Sequence, residues 1–190
     1  FAGTDSPVKQ EDLGKYKGGA ILYFPTVAAP ITVSFNLSGV DKLQLSPDTL
    51  AGIFEKKITT WNDPAIASDN PGASLPSSPI VTVVRSDGSG TTSNFTKYLK
   101  AASPSIGIEP GDAPKWPEGT QTANGNAGVA QSVKSTAGAI GYVDYSDAKA
   151  TGLTFASIKN KAGNYVAASL EGASAALEGA KINPDLTYNA

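Results

Sequence analysis

Apolar residues recur along this chain in two spacings, which predict an alternation of strands and helices. Alternating or unbroken apolar runs indicate strands, and apolar residues three or four positions apart indicate helices. In chain order the pattern predicts strand 31–35, helix 46–54, strand 80–84, helix 91–102, helix 126–135, strand 139–143, helix 145–150, a hairpin over 153–167 turning at 160–163, and helix 169–180. Such alternation favours an α/β fold with a mixed central sheet flanked by helices.

Proline and glycine interrupt this pattern in two long stretches, residues 70–76 and 103–119, which we expect to be surface connections. Trp61 and Trp116 lie in connecting segments. An exposed indole can stack on a sugar or a base, but an indole in a loop more often packs over the domain and pins the loop. We therefore predict packed rings.

Composition restricts the partners of the chain. At 190 residues, with 40% hydrophobic and 17% charged residues, it is long enough to bury a core. A net charge of -2 provides no general attraction to nucleic acid or to an anionic membrane, so any affinity for anions must be local. No apolar stretch approaches the length of a membrane span. Cysteine is absent, which excludes thiol catalysis and cysteine metal sites.

Arg85, the only arginine, ends the predicted strand 80–84 and opens a loop of glycine, serine and threonine before the helix 91–102. A guanidinium offers forked, charge-assisted hydrogen bonds, and a helix N-terminus offers unpaired N–H groups with partial positive charge. The sequence therefore predicts an oxyanion site here. The alternative is an ordinary strand-to-helix turn with a serine or threonine cap. The loop lacks the lysine of nucleotide-hydrolase phosphate loops and the three-glycine spacing of dinucleotide sites.

Two other functions fit the loop alone. A phosphate-ester hydrolase is disfavoured because the chain has no histidine to act as base and no cysteine or clustered ligands for zinc chemistry. A module that binds sulfate or a carboxylate remains open. The discriminating feature is an ionised carboxylate in the pocket, which accepts the O–H of protonated phosphate and repels fully ionised sulfate.

Six blocks of sequence, in order along nearly the whole chain, carry a family resemblance: FAGTDSP at 1–7, FPTV at 24–27, KITTWNDP at 57–64, RSDGSGT at 85–91, KWP at 115–117 and GAIGYV at 138–143. Together they resemble the phosphate-binding protein of the bacterial high-affinity phosphate ABC transporter. The resemblance implies a periplasmic-binding-protein-like fold of type II, with two α/β lobes around a buried anion. It implies inorganic phosphate as ligand, a membrane ABC permease as partner, no catalysis, and no metal or organic cofactor.

The resemblance also assigns roles to individual residues. The proton-accepting carboxylate corresponds to Asp5, whose alternative role is to cap a turn before Pro7. Arg85 corresponds to the forked donor, and Asp87 to the residue that orients it. The remaining predicted donors to phosphate are Ser89, Gly90 and Thr91, with Ser6 as a supporting donor.

Family members are about twice as long, so the resemblance implies that this chain covers mainly the second lobe. Residues 1–27 would belong to or border the first lobe and hinge, and residues 28–190 would form the second α/β lobe with the anion loop. The expected location is extracytoplasmic, in the periplasm or at the cell surface, with a lipid anchor compatible with the family. In a chain that lacks most of the first lobe, we expect the Arg85 loop to be open to solvent. We also expect the apolar residues that the first lobe would cover, around Phe1, Tyr23 and Phe24, to be exposed or to self-associate.

Overall fold

A five-stranded mixed sheet in the order β4-β3-β5-β1-β6 organises the domain. The computed structural model describes residues 2–179 and 181–187. The strands of this sheet are β1 (Ile31–Asn36), β3 (Val81–Arg85), β4 (Gln121–Ala123), β5 (Ala139–Asp144) and β6 (Thr154–Phe155). A second sheet, ordered β2-β7-β8, contains β2 (Gln44–Leu45), β7 (Ser157–Lys159) and β8 (Tyr165–Val166).

Helices cover both faces of the larger sheet, as the alternating pattern predicts. A 3₁₀ helix spans Gln10–Lys15, and the α-helices are α1 (Pro47–Phe54), α2 (Pro64–Asp69), α3 (Gly90–Ala102), α4 (Gly125–Ser135), α5 (Tyr145–Thr151) and α6 (Leu170–Glu178). Side-chain oxygens cap several of them. Ser46 accepts a hydrogen bond from the N–H of Thr49 at the start of α1, and Ser169 does the same for Gly172 in α6.

Strand pairing brings the carboxyl ends of three strands to one edge. β3 pairs in parallel with β4 on one side and with β5 on the other. β5 pairs antiparallel with β1, with Ile31 opposite Asp144 and Asn36 opposite Ala139. Because β3, β4 and β5 run in the same direction, the segments that follow them lie side by side.

The core lies on both faces of this sheet. The larger cluster includes an aromatic group in which Phe95 stacks on Tyr142 at 4.4 Å and meets Phe54 edge-on at 4.9 Å. The smaller cluster joins the sheet to α4 through fully buried Val129 and Val133. Such close packing limits the movement of the sheet edge that the strands form.

The sequence predicts this α/β architecture correctly, and the predicted strand and helix bounds mostly lie within one or two residues of the observed ones. The packed-ring prediction is confirmed for both tryptophans: the buried Trp61 ring donates its Nε1–H to the Gly138 carbonyl at 3.1 Å, and the Trp116 ring packs at 6.0 Å from Tyr142. The predicted last helix extends to Ala180, which lies outside the described residues.

The proline and glycine content of the stretch 103–119 predicts a surface connection, and this prediction is wrong for part of it. Ile106 and Ile108 are only 2% and 5% exposed and join the larger core cluster. The stretch is therefore an irregular part of the core. Within residues 2–179 and 181–187, no helix combines the length and apolar character needed to cross a membrane.

Candidate functional site

The carboxyl ends of the three parallel strands place polar side chains side by side. Arg85 ends β3, Asp144 ends β5, and Asn126 lies in the first turn of α4, just after β4. Ligands of α/β sheets commonly bind at such an edge. The N-terminus of α3 faces the same region, because only residues 86–89 separate it from β3.

The Arg85 guanidinium is held by two neighbours. Its Nε donates to Asp87 Oδ1 at 2.8 Å and its Nη2 donates to Asp87 Oδ2, while Nη1 donates to Asn126 Oδ1 at 3.4 Å. The N–H of Gly125 also donates to Asp87 Oδ1, at 3.1 Å. The hydrogen bonds from Arg85 hold the pKa of Asp87 far below its usual range, so this carboxylate remains ionised and keeps the guanidinium in place.

The loop at Arg85 is open only in part. Ser86 and Gly88 are exposed, as the prediction of a solvent-open loop requires. The Arg85 side chain itself is 11% exposed, because Asp87 and Asn126 lie against it. The cation is therefore partly desolvated, which strengthens a hydrogen bond to an anion.

The backbone of Arg85 is fixed to the aromatic core. Its N–H donates to the Tyr142 hydroxyl at 3.2 Å, and that hydroxyl shares a hydrogen bond of 2.7 Å with Thr92 Oγ1. Burial raises the pKa of Tyr142, so the phenol stays neutral. One buried hydroxyl thus ties the end of β3 to the first turn of α3.

Ser89 and Gly90 form the N-terminus of α3. Ser89 is the N-cap, and its Oγ accepts from the N–H of Thr92 at 3.1 Å while its own N–H donates to the Asp112 carbonyl at 3.0 Å. A hydroxyl that accepts at a cap still has a proton to donate. The cap is therefore compatible with the predicted contact to an anion.

Asp5 lies directly against this helix end. Thr91 Oγ1 donates to Asp5 Oδ2 at 3.0 Å, and Asn94 Nδ2 donates to the Asp5 carbonyl at 2.9 Å. The approach is so close that a Cβ on Gly90 would lie 2.6 Å from Asp5 Cβ, which explains why residue 90 is glycine. The structure thus brings Asp5, Gly90 and Thr91 together.

Ser6 is placed differently from the other predicted residues. Its N–H and carbonyl both bond to the Thr4 hydroxyl, at 3.3 and 2.8 Å. None of the hydrogen bonds among the described residues joins Ser6 to the Arg85 loop. Its assignment as a supporting donor therefore stays a prediction.

Sequence reasoning missed Asn126 and Asp144. Asn126 Nδ2 donates to Thr91 Oγ1 at 3.3 Å and to Asp144 Oδ2 at 3.0 Å. Burial and the charge of Asp5 raise the pKa of Asp144. The signal that the sequence offers is the glycine between Asn124 and Asn126, which takes a φ of 68° in the structure. The preceding strand β4 is too short and polar to show a hydrophobic pattern.

Chemically, the site combines a forked cation, a helix N-terminus, hydroxyl donors and a carboxylate acceptor. This combination suits a tetrahedral anion that carries a proton. Among the described residues, no group of three or more acidic side chains is placed to hold a metal ion.

Of the three apolar residues expected to be exposed in a single lobe, Phe24 is 71% exposed, and Tyr23 is partly buried with its hydroxyl accepting from the Val8 N–H. Phe1 lies outside the described residues.

Comparison with known proteins identifies the family of the chain. The family model for the PBP superfamily domain matches residues 1–190. The phosphate-binding protein PstS of Pasteurella multocida is 42% identical over 185 residues, which are 95% of this chain and 53% of the relative. PstS 3 of Mycobacterium tuberculosis is 38% identical over 188 residues, or 96% of this chain and 50% of the relative.

Among solved structures, a high affinity periplasmic phosphate-binding protein bound with phosphate at pH 8.5 superposes with a TM-score of 0.79 and 26% identity. The match covers 96% of this chain and 55% of that protein. The chain thus spans about half the length of the curated relatives it matches.

Proposed function

Because this chain belongs to the family of PBP superfamily domains, we propose that it binds inorganic phosphate outside the cytoplasm for delivery to a membrane ABC permease. Its relatives are named phosphate-binding proteins, and a similar solved structure holds phosphate. The proposed role is capture and release without catalysis. A lipid anchor is compatible with this role.

The observation that carries the proposal is that a cation, Arg85, and a carboxylate, Asp5, both lie at the N-terminus of α3. Arg85 supplies the charge-assisted donors and Asp87 holds it in place, while Ser89 supplies a hydroxyl donor and Gly90 and Thr91 supply backbone N–H donors. Asp5 supplies an acceptor within 3.0 Å of Thr91 Oγ1. Monohydrogen and dihydrogen phosphate offer both the charge and the O–H that this set requires.

We further propose that residues 28–190 form one lobe of a two-lobe binder, with residues 1–27 at its border to the other lobe. The matched relatives are about twice as long, which leaves room for a second lobe that would supply more donors and exclude water. With only part of the donors, this chain should bind phosphate several orders of magnitude more weakly than tight complexes of about nanomolar Kd.

Calorimetric titration of the chain with phosphate, sulfate and citrate tests the proposal. We expect phosphate to bind in preference to both of the others, because fully ionised sulfate lacks the proton that Asp5 accepts. Equal or tighter binding of sulfate or citrate would overturn the assignment. Sub-micromolar phosphate binding would contradict the one-lobe proposal, while leaving phosphate as the ligand.

The variant Asp5→Asn tests the acceptor directly. The amide no longer repels a fully ionised anion and can donate to it, so discrimination against sulfate should decrease. Asp41→Asn, which removes an exposed carboxylate from the loop after β1, is the matched control. If the ratio of phosphate to sulfate affinity stays the same in Asp5→Asn, Asp5 does not lie in the pocket.

A further inference from the structure

Asn126 connects three parts of the candidate site that are distant in sequence. Its amide contacts Arg85 at the end of β3, Thr91 in the first turn of α3 and Asp144 at the end of β5. We propose that Asn126 is a positioning residue for phosphate, which holds the Arg85 guanidinium in binding geometry and directs the Thr91 hydroxyl to Asp5, and that Asp144 fixes the direction of its amide. The inference rests on the proposed function.

The contacts require one orientation of the amide. Asp144 Oδ2 and Thr91 Oγ1 lie 3.0 and 3.3 Å from Nδ2, and an ionised carboxylate can only accept. The NH₂ group therefore faces Asp144, and Oδ1 faces Arg85 Nη1. A reversed amide would place oxygen against the carboxylate and NH₂ against the guanidinium, with both contacts unfavourable.

This orientation determines which Arg85 donors are free. A guanidinium has five N–H donors, of which Asp87 takes one on Nε and one on Nη2. Asn126 takes one on Nη1. As far as the described residues show, one N–H on each terminal nitrogen then remains for an anion. Without Asn126, Asp87 alone among these residues would accept hydrogen bonds from the guanidinium.

The same amide directs the Thr91 hydroxyl. Thr91 Oγ1 accepts from Asn126 Nδ2 and donates to Asp5 Oδ2, so its proton points towards the proposed acceptor. Asn126 thereby connects Arg85, the proposed charged donor, to Asp5, the proposed proton acceptor, through Thr91. It also places a neutral group between Arg85 and Asp144, which would otherwise compete with the anion for the cation.

Asn126→Ala should weaken phosphate binding about tenfold, since the positioning hydrogen bonds are lost. Asn124→Ala is the matched control, because Asn124 is exposed in the same turn and makes no side-chain cap hydrogen bond. Calorimetry would give both affinities. Thermal unfolding followed by circular dichroism would show whether each variant remains folded.

Asn126→Asp separates positioning from space filling. Aspartate has nearly the shape of asparagine, but it loses the donor to Asp144 and Thr91 and adds a negative charge beside Arg85. We expect a larger loss of phosphate affinity than in Asn126→Ala. If Asn126→Asp binds phosphate as well as the unsubstituted chain, Asn126 only fills space and the inference is wrong.

A third measurement does not require phosphate. Arg85 is the only arginine, so the arginine Nε–H and Nη–H signals in ¹⁵N nuclear magnetic resonance arise from this side chain alone. In the phosphate-free protein, Asn126→Ala should shift the Nη signals and speed their exchange, while Asn124→Ala leaves them unchanged. Unchanged Nη signals in Asn126→Ala would overturn the inference. Failure of the unsubstituted chain to bind phosphate would instead overturn the proposed function.

Discussion

The two sides of the candidate site are built in different ways. Arg85 ends an inner strand, its backbone is hydrogen-bonded to the buried Tyr142, and its side chain is 11% exposed. Asp5 belongs to residues 2–30, none of which is buried, and it is attached through polar contacts to Thr91 and Asn94. Regions with few buried apolar contacts open at low free-energy cost. We therefore expect the Arg85 side, which is proposed to bind charge, to be rigid and the Asp5 side, which is proposed to accept a proton, to be adaptable, so that affinity and selectivity can be altered separately.

The largest effect is expected from Arg85→Ala, which removes the charge from the rigid side. Loss of a partly desolvated, forked donor should cost about 2 to 5 kcal/mol of phosphate binding free energy. Arg85→Lys should recover little, because an ammonium cannot reproduce the fork. Lys97→Ala, an exposed cation lost from α3, is the control for net charge. Calorimetric affinity of Arg85→Ala within about threefold of the unsubstituted chain would place the site elsewhere.

Tyr142→Phe loosens the rigid side without removing a charge. The hydroxyl that is lost is buried and hydrogen-bonded to both the Arg85 N–H and Thr92 Oγ1. The free energy of unfolding should therefore fall by about 1 to 2 kcal/mol. Phosphate affinity should fall with it. Urea denaturation gives the first quantity, with Tyr98→Phe, 39% exposed, as control. An unchanged free energy of unfolding would mean that the hydrogen bonds of the Tyr142 hydroxyl to β3 and α3 do not stabilise the fold.

Gly90→Ala separates the two sides. The new methyl would lie 2.6 Å from Asp5 Cβ, so residues near Asp5 must move away from α3. Discrimination between phosphate and sulfate should fall several-fold, while the Tm of the domain changes little because alanine suits a helix. Gly88→Ala is the control, since the nearest atom to its added Cβ is 4.0 Å away. Retained selectivity in Gly90→Ala would show that Asp5 needs no close contact.

Asp144→Asn tests whether the pKa of Asp144, which lies between the rigid and the adaptable side, is raised in the folded protein. Burial, and then the charge of Asp5, raise the pKa of Asp144 above its ordinary value. The folded state therefore binds this proton more tightly, and the contribution of Asp144 to stability falls as pH rises from the unfolded pKa of about 3.9 through the folded pKa. The stability of Asp144→Asn relative to the unsubstituted chain should rise over that interval. Urea denaturation across the interval measures it, and a constant difference would contradict the pKa shift.

The smallest effect is expected from Lys9→Ala on the adaptable side. Its 3.0 Å ion pair with Asp112 joins side chains that are 52% and 45% exposed, and solvent screens such pairs strongly. We expect no measurable change in Tm or in phosphate affinity. A clear loss of selectivity would show that this ion pair, rather than Thr91 and Asn94, holds the segment that carries Asp5.

The sequence predicts the rigid side better than its surroundings. An apolar run that ends at Arg85 identifies β3, and the Ser89 cap marks the start of α3, because both features are local. The helix α2 was missed although Asp63 caps it and Pro64 begins it. Both signals were present, but α2 is only six residues long.

Contacts across the site could not be predicted from pattern alone. Asn126 reaches Arg85 only because the polar strand β4 pairs with β3, and three residues carry no detectable hydrophobic period. Asp5 was identified through family resemblance, and no periodicity in the sequence places it 86 positions away against Thr91. Long-range polar contacts depend on the assembled sheet, which no local pattern encodes.

The aromatic group behind Arg85 also gives the molecule an optical reporter. Trp116 packs 6.0 Å from the Tyr142 ring, whose hydroxyl accepts from the Arg85 backbone, whereas fully buried Trp61 is hydrogen-bonded to Gly138 on another part of the sheet. Of the two indoles, Trp116 is the one that packs on the tyrosine to which Arg85 is hydrogen-bonded. We therefore expect the intrinsic fluorescence of the unlabelled protein to respond, through Trp116, to a change of charge or hydrogen bonding at Arg85, while the Trp61 contribution stays nearly constant.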